Sequence, residues 1–114
     1  MNGATFIKYG KKGNPKPRHV FLFDKFICWR DPKDMRQPDV KAKRKKRMIA
    51  LKEIRNIVMG RTTKPFEKYK NGKDHLSFSL QGYTRSLDLE APSDIEKRIF
   101  IEYLQVVIES SSSE

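Results

Sequence analysis

The strictest pattern in the chain is an alternation of apolar and polar residues between positions 76 and 90. Residues 76–81 read LSFSLQ, and residues 85–90 read RSLDLE after a turn at Gly82. Successive side chains of a β-strand point to opposite faces, so this alternation places all the leucine and phenylalanine side chains on one face. The pattern therefore predicts a β-hairpin with one face buried and the other in water.

A helix with a defined start is predicted directly after this hairpin. Ser93 is placed as the N-cap, and Glu96 three residues later completes a capping box. Apolar residues then recur at steps of three and four, which is typical of a helix with one broad apolar stripe. They are Ile99, Phe100, Tyr103, Leu104, Val107 and Ile108. Such a stripe must be buried, and the sheet is the surface that the chain offers for it.

The N-terminal part of the chain contains three short segments rich in aromatic and β-branched residues. They span residues 5–9, 18–23 and 26–30. Glycine, asparagine and proline between positions 10 and 15 separate the first two, and Asp24-Lys25 is a plausible tight turn between the second and third. Three consecutive strands this close predict an antiparallel meander.

The middle of the chain predicts two further strands and one helical turn. Residues 48–51 are apolar, and Ile54, Ile57 and Val58 continue the strand pattern up to Gly60. Residues 63–69 favour one helical turn with an early proline. The chain is therefore predicted to be mainly β, with about seven strands in a bent antiparallel sheet that closes at one corner and one C-terminal α-helix that plugs the open end.

The length of 114 residues allows one domain with a modest core. We expect this domain to span residues 5–109. Residues 1–4 are predicted to be a remnant outside it, and residues 110–114 a disordered polar tail.

The net charge of +11 points to an anionic partner. Lys8, Lys11, Lys12, Lys16 and Arg18 follow one another with no acidic residue among them. Alternate residues of a strand point the same way, so the side chains of Lys16 and Arg18 share one face, and Lys8 can face them from the paired strand. We expect these cations to converge on one polyanion.

A second basic cluster occupies the predicted loop of residues 31–47. Its cations are Lys41, Lys43, Arg44, Lys45, Lys46 and Arg47. An isolated charge run is usually a solvated loop, and this one also resembles a nuclear localisation patch.

The sequence gives little support for catalysis. His19 and His75 are its two histidines, and Cys28, its one cysteine, lies between large apolar residues. These residues do not make a convincing zinc site, and no nucleophile, phosphate-loop or paired-carboxylate motif is present. We therefore expect no enzymatic activity, no metal and no cofactor, and a buried, inert thiol at Cys28.

Cysteine usage, hydropathy and the basic net charge together predict a cytoplasmic protein peripheral to a membrane. A single cysteine fits a reducing compartment, and no apolar run approaches the roughly 18 residues of a membrane span. The first twelve residues lack the apolar core of a secretory signal. Gly3 lies one position too late for N-myristoylation.

In the order and spacing of these motifs, the chain resembles the pleckstrin homology (PH) domain family, and within it the phospholipase C type. The basic motif of that family matches Lys8, Lys16 and Arg18, and its third strand resembles residues 27–29. The stretch IALKEIRNIVMGRTTKPFEKY and the final hairpin and helix are similar to the same type. Phe100 stands where the family has a tryptophan, and we expect phenylalanine to fill that place in the packing.

The resemblance implies a site for a phosphoinositide headgroup at the mouth of the barrel. It implies Lys33 just after the third strand and Ser86 in the last hairpin as further contacts. It also places the basic run 41–47 beside the same mouth as an accessory patch. Gly10 stands where the phospholipase C type has a second contacting lysine, with Lys11 and Lys12 beside it.

Two functions from different classes remain open. The first is a membrane-associated module that binds phosphoinositides or phosphatidic acid. The alternative is a protein-binding scaffold that has lost specific lipid binding and is attached by N-terminal acylation outside these residues, as in the sub-compartment proteins of the apicomplexan inner membrane complex. We expect a monomer in either case. Nucleic-acid binding ranks last, because no RNA-recognition or zinc-finger signature is present.

Overall fold

The computed structural model describes residues 3–36, 38 and 47–112. These residues form seven antiparallel strands and one C-terminal helix, which confirms the predicted fold class. The strands are β1 (Ala4–Tyr9), β2 (Lys16–Phe23), β3 (Phe26–Arg30), β4 (Met48–Ala50), β5 (Ile54–Met59), β6 (Ser77–Gly82) and β7 (Ser86–Glu90), and the helix is α1 (Asp94–Ser112). Short 3₁₀ helices lie at Leu51–Glu53, Lys64–Phe66 and Asp74–Leu76.

The seven strands form one sheet that bends around a single core. Their order is β4-β3-β2-β1-β7-β6-β5, so β4 and β5 are the two edges. The 3₁₀ helix Leu51–Glu53 joins these two edge strands directly, so they meet at one corner. The sheet is therefore a partly open barrel, as the sequence predicted.

Helix α1 closes one end of this barrel. Leu104 is fully buried, and Phe100 packs edge-on against Phe6 of β1 with their ring centroids 4.7 Å apart. Phenylalanine thus fills the position where a tryptophan was expected from the family pattern. The helix also contacts the 3₁₀ helices at Leu51–Glu53 and Asp74–Leu76, which lie at the same end.

The start of α1 is capped by the predicted pair of residues. The backbone N–H of Glu96 donates to the Ser93 hydroxyl oxygen at 3.2 Å, and that hydroxyl donates to the Glu96 carboxylate at 2.9 Å. A helix start fixed in this way sets which residues face the sheet.

The helix continues to Ser112, so residues 110–112 prolong it instead of belonging to a disordered tail. No glycine or proline follows position 92 to end the helix earlier. The limits of the domain stay a prediction.

One part of the hairpin prediction is wrong. The polar face of β6 and β7 is not in water, because Ser77, Ser79 and Asp88 are all buried. Residues 60–76, here called the β5–β6 connection, fold back over this face. The hydroxyls of Thr63 and Ser79 both donate to Oδ1 of Asp88, at 2.5 and 2.7 Å, which satisfies the buried carboxylate.

The loop ends of the strands collect at the end of the barrel opposite α1. In the antiparallel register β1 runs toward this end and β2 leaves it, while β7 starts beside the last residues of β1. Residues 10–15, the described residues that directly follow β3 and precede β4, and residues 83–85 therefore border the same end of the molecule. This loop end is where the predicted site residues were expected.

Candidate functional site

The pairing of β1 with β2 brings the predicted cations onto one face of the sheet. Lys8 lies directly opposite Lys16, and Phe6 lies directly opposite Arg18. Paired residues of an antiparallel ladder share a face, and alternate residues along a strand do too. Phe6 is buried in the core, so the three cations lie on the concave face, where the apolar core ends and the loop end begins.

Four of the predicted cations surround one cavity of about 130 Å³. Lys8, Lys16 and Arg18 supply the strand side of its wall, and Lys12 comes from the β1–β2 loop. Gly10, Gly13 and Asn14 complete the lining with small or uncharged groups. We call this space the basic cavity. Its lining carries four positive charges and no carboxylate, which suits a phosphate-bearing ligand.

Lys8 is the most constrained of the four cations. Burial lowers the pKa of its ammonium, and the charges of Arg85, Arg18 and Arg47 lower it further, whereas Asp88 acts in the opposite direction. Its Nζ also lies 5.5 Å from the centroid of the Trp29 indole. Lys8 therefore lies partly buried at the base of the cavity, where the charges of three arginines and of one carboxylate act on it.

Arg85 belongs to the same group of cations, although sequence reasoning did not select it. Its guanidinium lies 5.1 Å from the Trp29 ring centroid, so Lys8 and Arg85 approach the same indole. Burial lowers the pKa of Arg85, and nearby Glu53 raises it. The signal available in the sequence was its place in the turn of the last hairpin, but sequence does not tell which end of the barrel that turn borders.

Arg18 is held along the wall of the cavity by its neighbours. One Nη donates to the carbonyl oxygen of Pro17 at 2.9 Å and lies 4.0 Å from the Asp31 carboxylate. The second distance is too long for a hydrogen bond, so Asp31 is a loose ion-pair partner of Arg18. A planar guanidinium in this position can offer two parallel N–H donors to one phosphate.

Three of the predicted contacts lie away from the basic cavity. Lys11 points to the other side of the β1–β2 loop, into a separate cavity with Lys64 and Lys68. Lys33 is exposed in the β3–β4 connection, where its backbone N–H donates to Asp31 at 2.9 Å. The Ser86 hydroxyl donates to Asp88 at 2.9 Å, on the opposite face of β7 from the core. These three stay predictions as ligand contacts.

Most of the accessory basic run lies outside the described residues. Lys41, Lys43, Arg44, Lys45 and Lys46 belong to residues 39–46, of which the structure describes nothing. Arg47 is described: it is exposed just before β4, and its charge lowers the pKa of Lys8. The one described member of the run therefore lies at the loop end.

The described residues offer little for other chemistry. No cluster of three or more His, Cys, Asp or Glu side chains among them could hold a metal ion. Cys28 is buried, and burial raises the pKa of its thiol to about 11, as expected for an inert thiol. No helix within the described ranges combines the length and the apolar character that crossing a membrane requires.

The comparison with protein families agrees with this geometry. A family model for the PH domain matches residues 1–109. The chain belongs to the PH domain family. PH domains are in general non-catalytic modules that bind lipids or proteins.

Curated proteins similar to this PH domain are much longer chains. The FYVE, RhoGEF and PH domain-containing protein 3 of Homo sapiens and that of Pongo abelii are each 29% identical to it over 99 residues. This match covers 87% of the chain described here and 12% of each relative. The chain thus spans about an eighth of the length of these relatives.

Two solved structures share the fold. The N-terminal PH domain of human ARAP2 superposes with a TM-score of 0.63 at 14% identity, covering 97% of this chain and 81% of that one. The Inner Membrane Complex Sub-compartment Protein 3 from Toxoplasma gondii superposes with a TM-score of 0.60 at 12% identity, covering 96% and 77%. At these identities the likeness concerns the fold.

Proposed function

We propose that this PH domain is a non-catalytic module that binds anionic phospholipid headgroups, phosphoinositides above all, and holds its parent protein at the cytoplasmic face of a membrane. The observation that carries the proposal is the basic cavity, where Lys8, Lys12, Lys16 and Arg18 line one small space. A headgroup with several phosphates is the ligand that best matches four cations converging from two strands and a loop.

Each of the four cations has its own role in binding the headgroup. Arg18 offers a two-pronged contact to one phosphate, and Lys8 supplies a point charge at the base of the cavity. Lys12 and Lys16 lie on the loop side, where they can meet phosphates that protrude from the cavity. A bound dianion beside Lys8 opposes the charges that lower its pKa, so binding stabilises the protonated ammonium.

The charge of the whole chain adds a second, less specific attraction. Its net charge is +11, and basic residues close to an anionic leaflet contribute about 1 kcal/mol each. The basic run at 41–47 belongs to this contribution. General attraction brings the domain to the membrane, and the basic cavity selects the headgroup.

Vesicle sedimentation tests this proposal. Vesicles contain a phosphoinositide, phosphatidic acid or phosphatidylserine at equal total charge. We expect the wild type to prefer phosphoinositide vesicles, and Lys8→Ala and Arg18→Ala each to weaken that binding about tenfold or more, since a hydrogen bond to a charged group contributes about 1.5–3 kcal/mol.

Lys52→Ala is the matched control for these variants. It removes the same charge from an exposed position beside the β2–β3 turn, at the end of the barrel away from the basic cavity. We expect its phosphoinositide binding to stay within about twofold of wild type. Equal binding by Lys8→Ala, Arg18→Ala and wild type would exclude headgroup recognition by this cavity.

The scaffold remains the second candidate, and one observation favours it. Ile95, Ile99 and Val106 of α1 are exposed on the face turned away from the core, so the prediction that Ile99 belongs to the buried stripe is wrong. An apolar stripe on a helix is a surface that a partner protein can cover. In that case the membrane is reached through N-terminal acylation outside these residues, and the vesicle experiment shows no preference for any headgroup.

A further inference from the structure

The loop that carries Lys12 is tied to the body of the domain by a tyrosine from another part of the chain. The Tyr69 hydroxyl lies 3.0 Å from the carbonyl oxygen of Gly13 and 3.2 Å from Oδ1 of Asn14. The hydroxyl has one proton to donate, and these two acceptors share it at distances that suit a hydrogen bond. Tyr69 belongs to the β5–β6 connection, so two segments far apart in sequence meet at the basic cavity.

The two acceptors belong to the wall of that cavity, whereas Tyr69 does not line it. Gly13 and Asn14 both contribute to the lining, between Lys12 and Lys16. Gly13 has a φ of +80°, a left-handed conformation that glycine adopts readily. A hydrogen bond to its carbonyl oxygen favours this conformation over the many others open to a glycine.

Tyr69 is itself held firmly from the sheet. Its backbone N–H donates to the Phe66 carbonyl oxygen at 3.1 Å, and its own carbonyl oxygen accepts from the Arg61 guanidinium at 2.5 Å. The same guanidinium donates at 2.9 Å to the carboxylate of Glu90 in β7 and at 2.9 Å to the hydroxyl of Ser77 in β6.

Aromatic packing fixes the direction of the Tyr69 side chain. Its ring packs edge-on against Tyr9 of β1, with centroids 6.0 Å apart. The Arg61 guanidinium contacts both Tyr9 and Phe66, 4.6 and 4.5 Å from their ring centroids, and these two rings contact each other at 4.9 Å. The hydroxyl is therefore presented to the β1–β2 loop by a buried cluster that belongs to the body of the domain.

We propose that Tyr69 is a positioning residue for the basic cavity: its hydroxyl holds Gly13 and Asn14 so that Lys12 and Lys16 face a bound phosphate. This inference rests on the proposed function. Ordering a loop during binding costs free energy, and a loop that is already ordered avoids that cost. Tyr69 thus raises affinity without touching the ligand.

Tyr69→Phe tests this role because it removes the hydroxyl and keeps the ring. We expect binding to phosphoinositide vesicles to weaken about fivefold, the equivalent of one ordinary hydrogen bond. Binding to phosphatidylserine vesicles of equal charge should not change, because general attraction does not depend on where the loop lies. Amide hydrogen exchange of residues 10–14 should accelerate, while that of β1 and β7 stays as in the wild type.

Tyr103→Phe is the control, since it removes a hydroxyl from helix α1 and should leave both vesicle affinities and the loop exchange unchanged. Wild-type affinity of Tyr69→Phe for phosphoinositide vesicles would overturn the positioning role while the proposed function stands. An equal loss on both kinds of vesicle would also overturn it, because it would mean a general structural defect. If the wild type prefers no headgroup, the proposed function fails, and the positioning role fails with it.

Discussion

At the scale of single residues, Lys8 contributes to the candidate site but lowers the stability of the folded state. Its side chain shares the concave face with Phe6 and approaches the indole of Trp29. Burial and the neighbouring arginines lower the pKa of its ammonium. A group with a lowered pKa is less favourable when charged in the folded state than in the unfolded state.

Lys8→Met should stabilise the domain in the absence of ligand. At neutral pH the wild type carries the charged Lys8, which methionine replaces with an apolar chain of similar length. We expect the free energy of unfolding to rise by about 0.5 kcal/mol, measured by urea denaturation. The same variant should lose phosphoinositide binding. A lower free energy of unfolding would contradict this account of Lys8.

The pH dependence of this difference has a definite sign. Because the folded pKa of Lys8 lies below the ordinary lysine value of 10.5, the unfolded state binds more protons between these two values. The stability of the wild type relative to Lys8→Met should therefore increase as the pH rises through that range. A pH-independent difference would mean that Lys8 keeps its ordinary pKa in the folded state.

The predicted site residues differ in how well the sequence could place them. Lys8, Lys16 and Arg18 were placed on one face by strand alternation, and the structure places them there. Lys11, Lys33 and Ser86 depend on the direction of a loop, or on which side of β7 a residue faces. The family pattern gave positions for them but no geometry, so their part in the site stays a prediction.

At the scale of elements, the β5–β6 connection gives the sheet a second covered face. It buries the serines of β6 and Asp88 of β7, and it carries Arg61 into contact with Glu90. The Arg61 side chain is only 9% exposed, and its ion pair with Glu90 measures 2.9 Å. The polar groups around this ion pair therefore depend on the Arg61 side chain for their partners.

Arg61→Met should destabilise the domain strongly. The change leaves the Glu90 carboxylate without its ion-pair partner and the Tyr69 carbonyl oxygen without its donor. Removing one member of a buried pair typically costs about 3–5 kcal/mol, and partial exposure of Glu90 places this case near about 3 kcal/mol. Urea denaturation measures the loss.

Arg98→Met provides the comparison for that experiment. Arg98 pairs with Asp94 at 2.7 Å on α1, but its side chain is 68% exposed. Exposed pairs of this kind contribute little to stability, so we expect only a small change in the free energy of unfolding. Similar losses for Arg61→Met and Arg98→Met would show that the β5–β6 connection does not depend on Arg61.

At the scale of the whole molecule, two surfaces at different places serve the two candidate functions. The basic cavity lies at the loop end, and the exposed apolar residues Ile95, Ile99 and Val106 lie on α1, which closes the opposite end. Because the surfaces are separate, variants can affect one of them without the other.

Ile99→Ser and Val106→Ser should separate these functions. Both side chains are exposed, so each change should alter the free energy of unfolding by less than about 0.5 kcal/mol. If the domain acts through lipid, vesicle binding and membrane localisation of the parent protein should match the wild type. Loss of a partner protein from complexes of the parent protein, with vesicle binding unchanged, would instead favour the scaffold.

The fold could be predicted from local patterns because each strand or helix has a recognisable pattern within a few residues. Alternation in residues 76–90, the capping pair Ser93 and Glu96, and the apolar stripe of α1 all depend on neighbours within a turn or a strand. Two details were wrong: Ile99, placed in the buried stripe, is 50% exposed, and the polar face of that hairpin is covered. The polar face is buried because residues 60–76 fold back over it. The periodicity of a strand does not show which distant segment of the chain covers each of its faces.

The sequence by itself determined the strands, the helix, the basic charge and the shared face of Lys8, Lys16 and Arg18, because these follow from periods of two and of about 3.6 residues along one chain. Only the tertiary structure decided that Arg85 joins Lys8 at the indole of Trp29 and that Tyr69 reaches the β1–β2 loop. Those contacts join segments distant in sequence. Their distances depend on how the sheet bends and which loops share an end, which is a property of the packed whole.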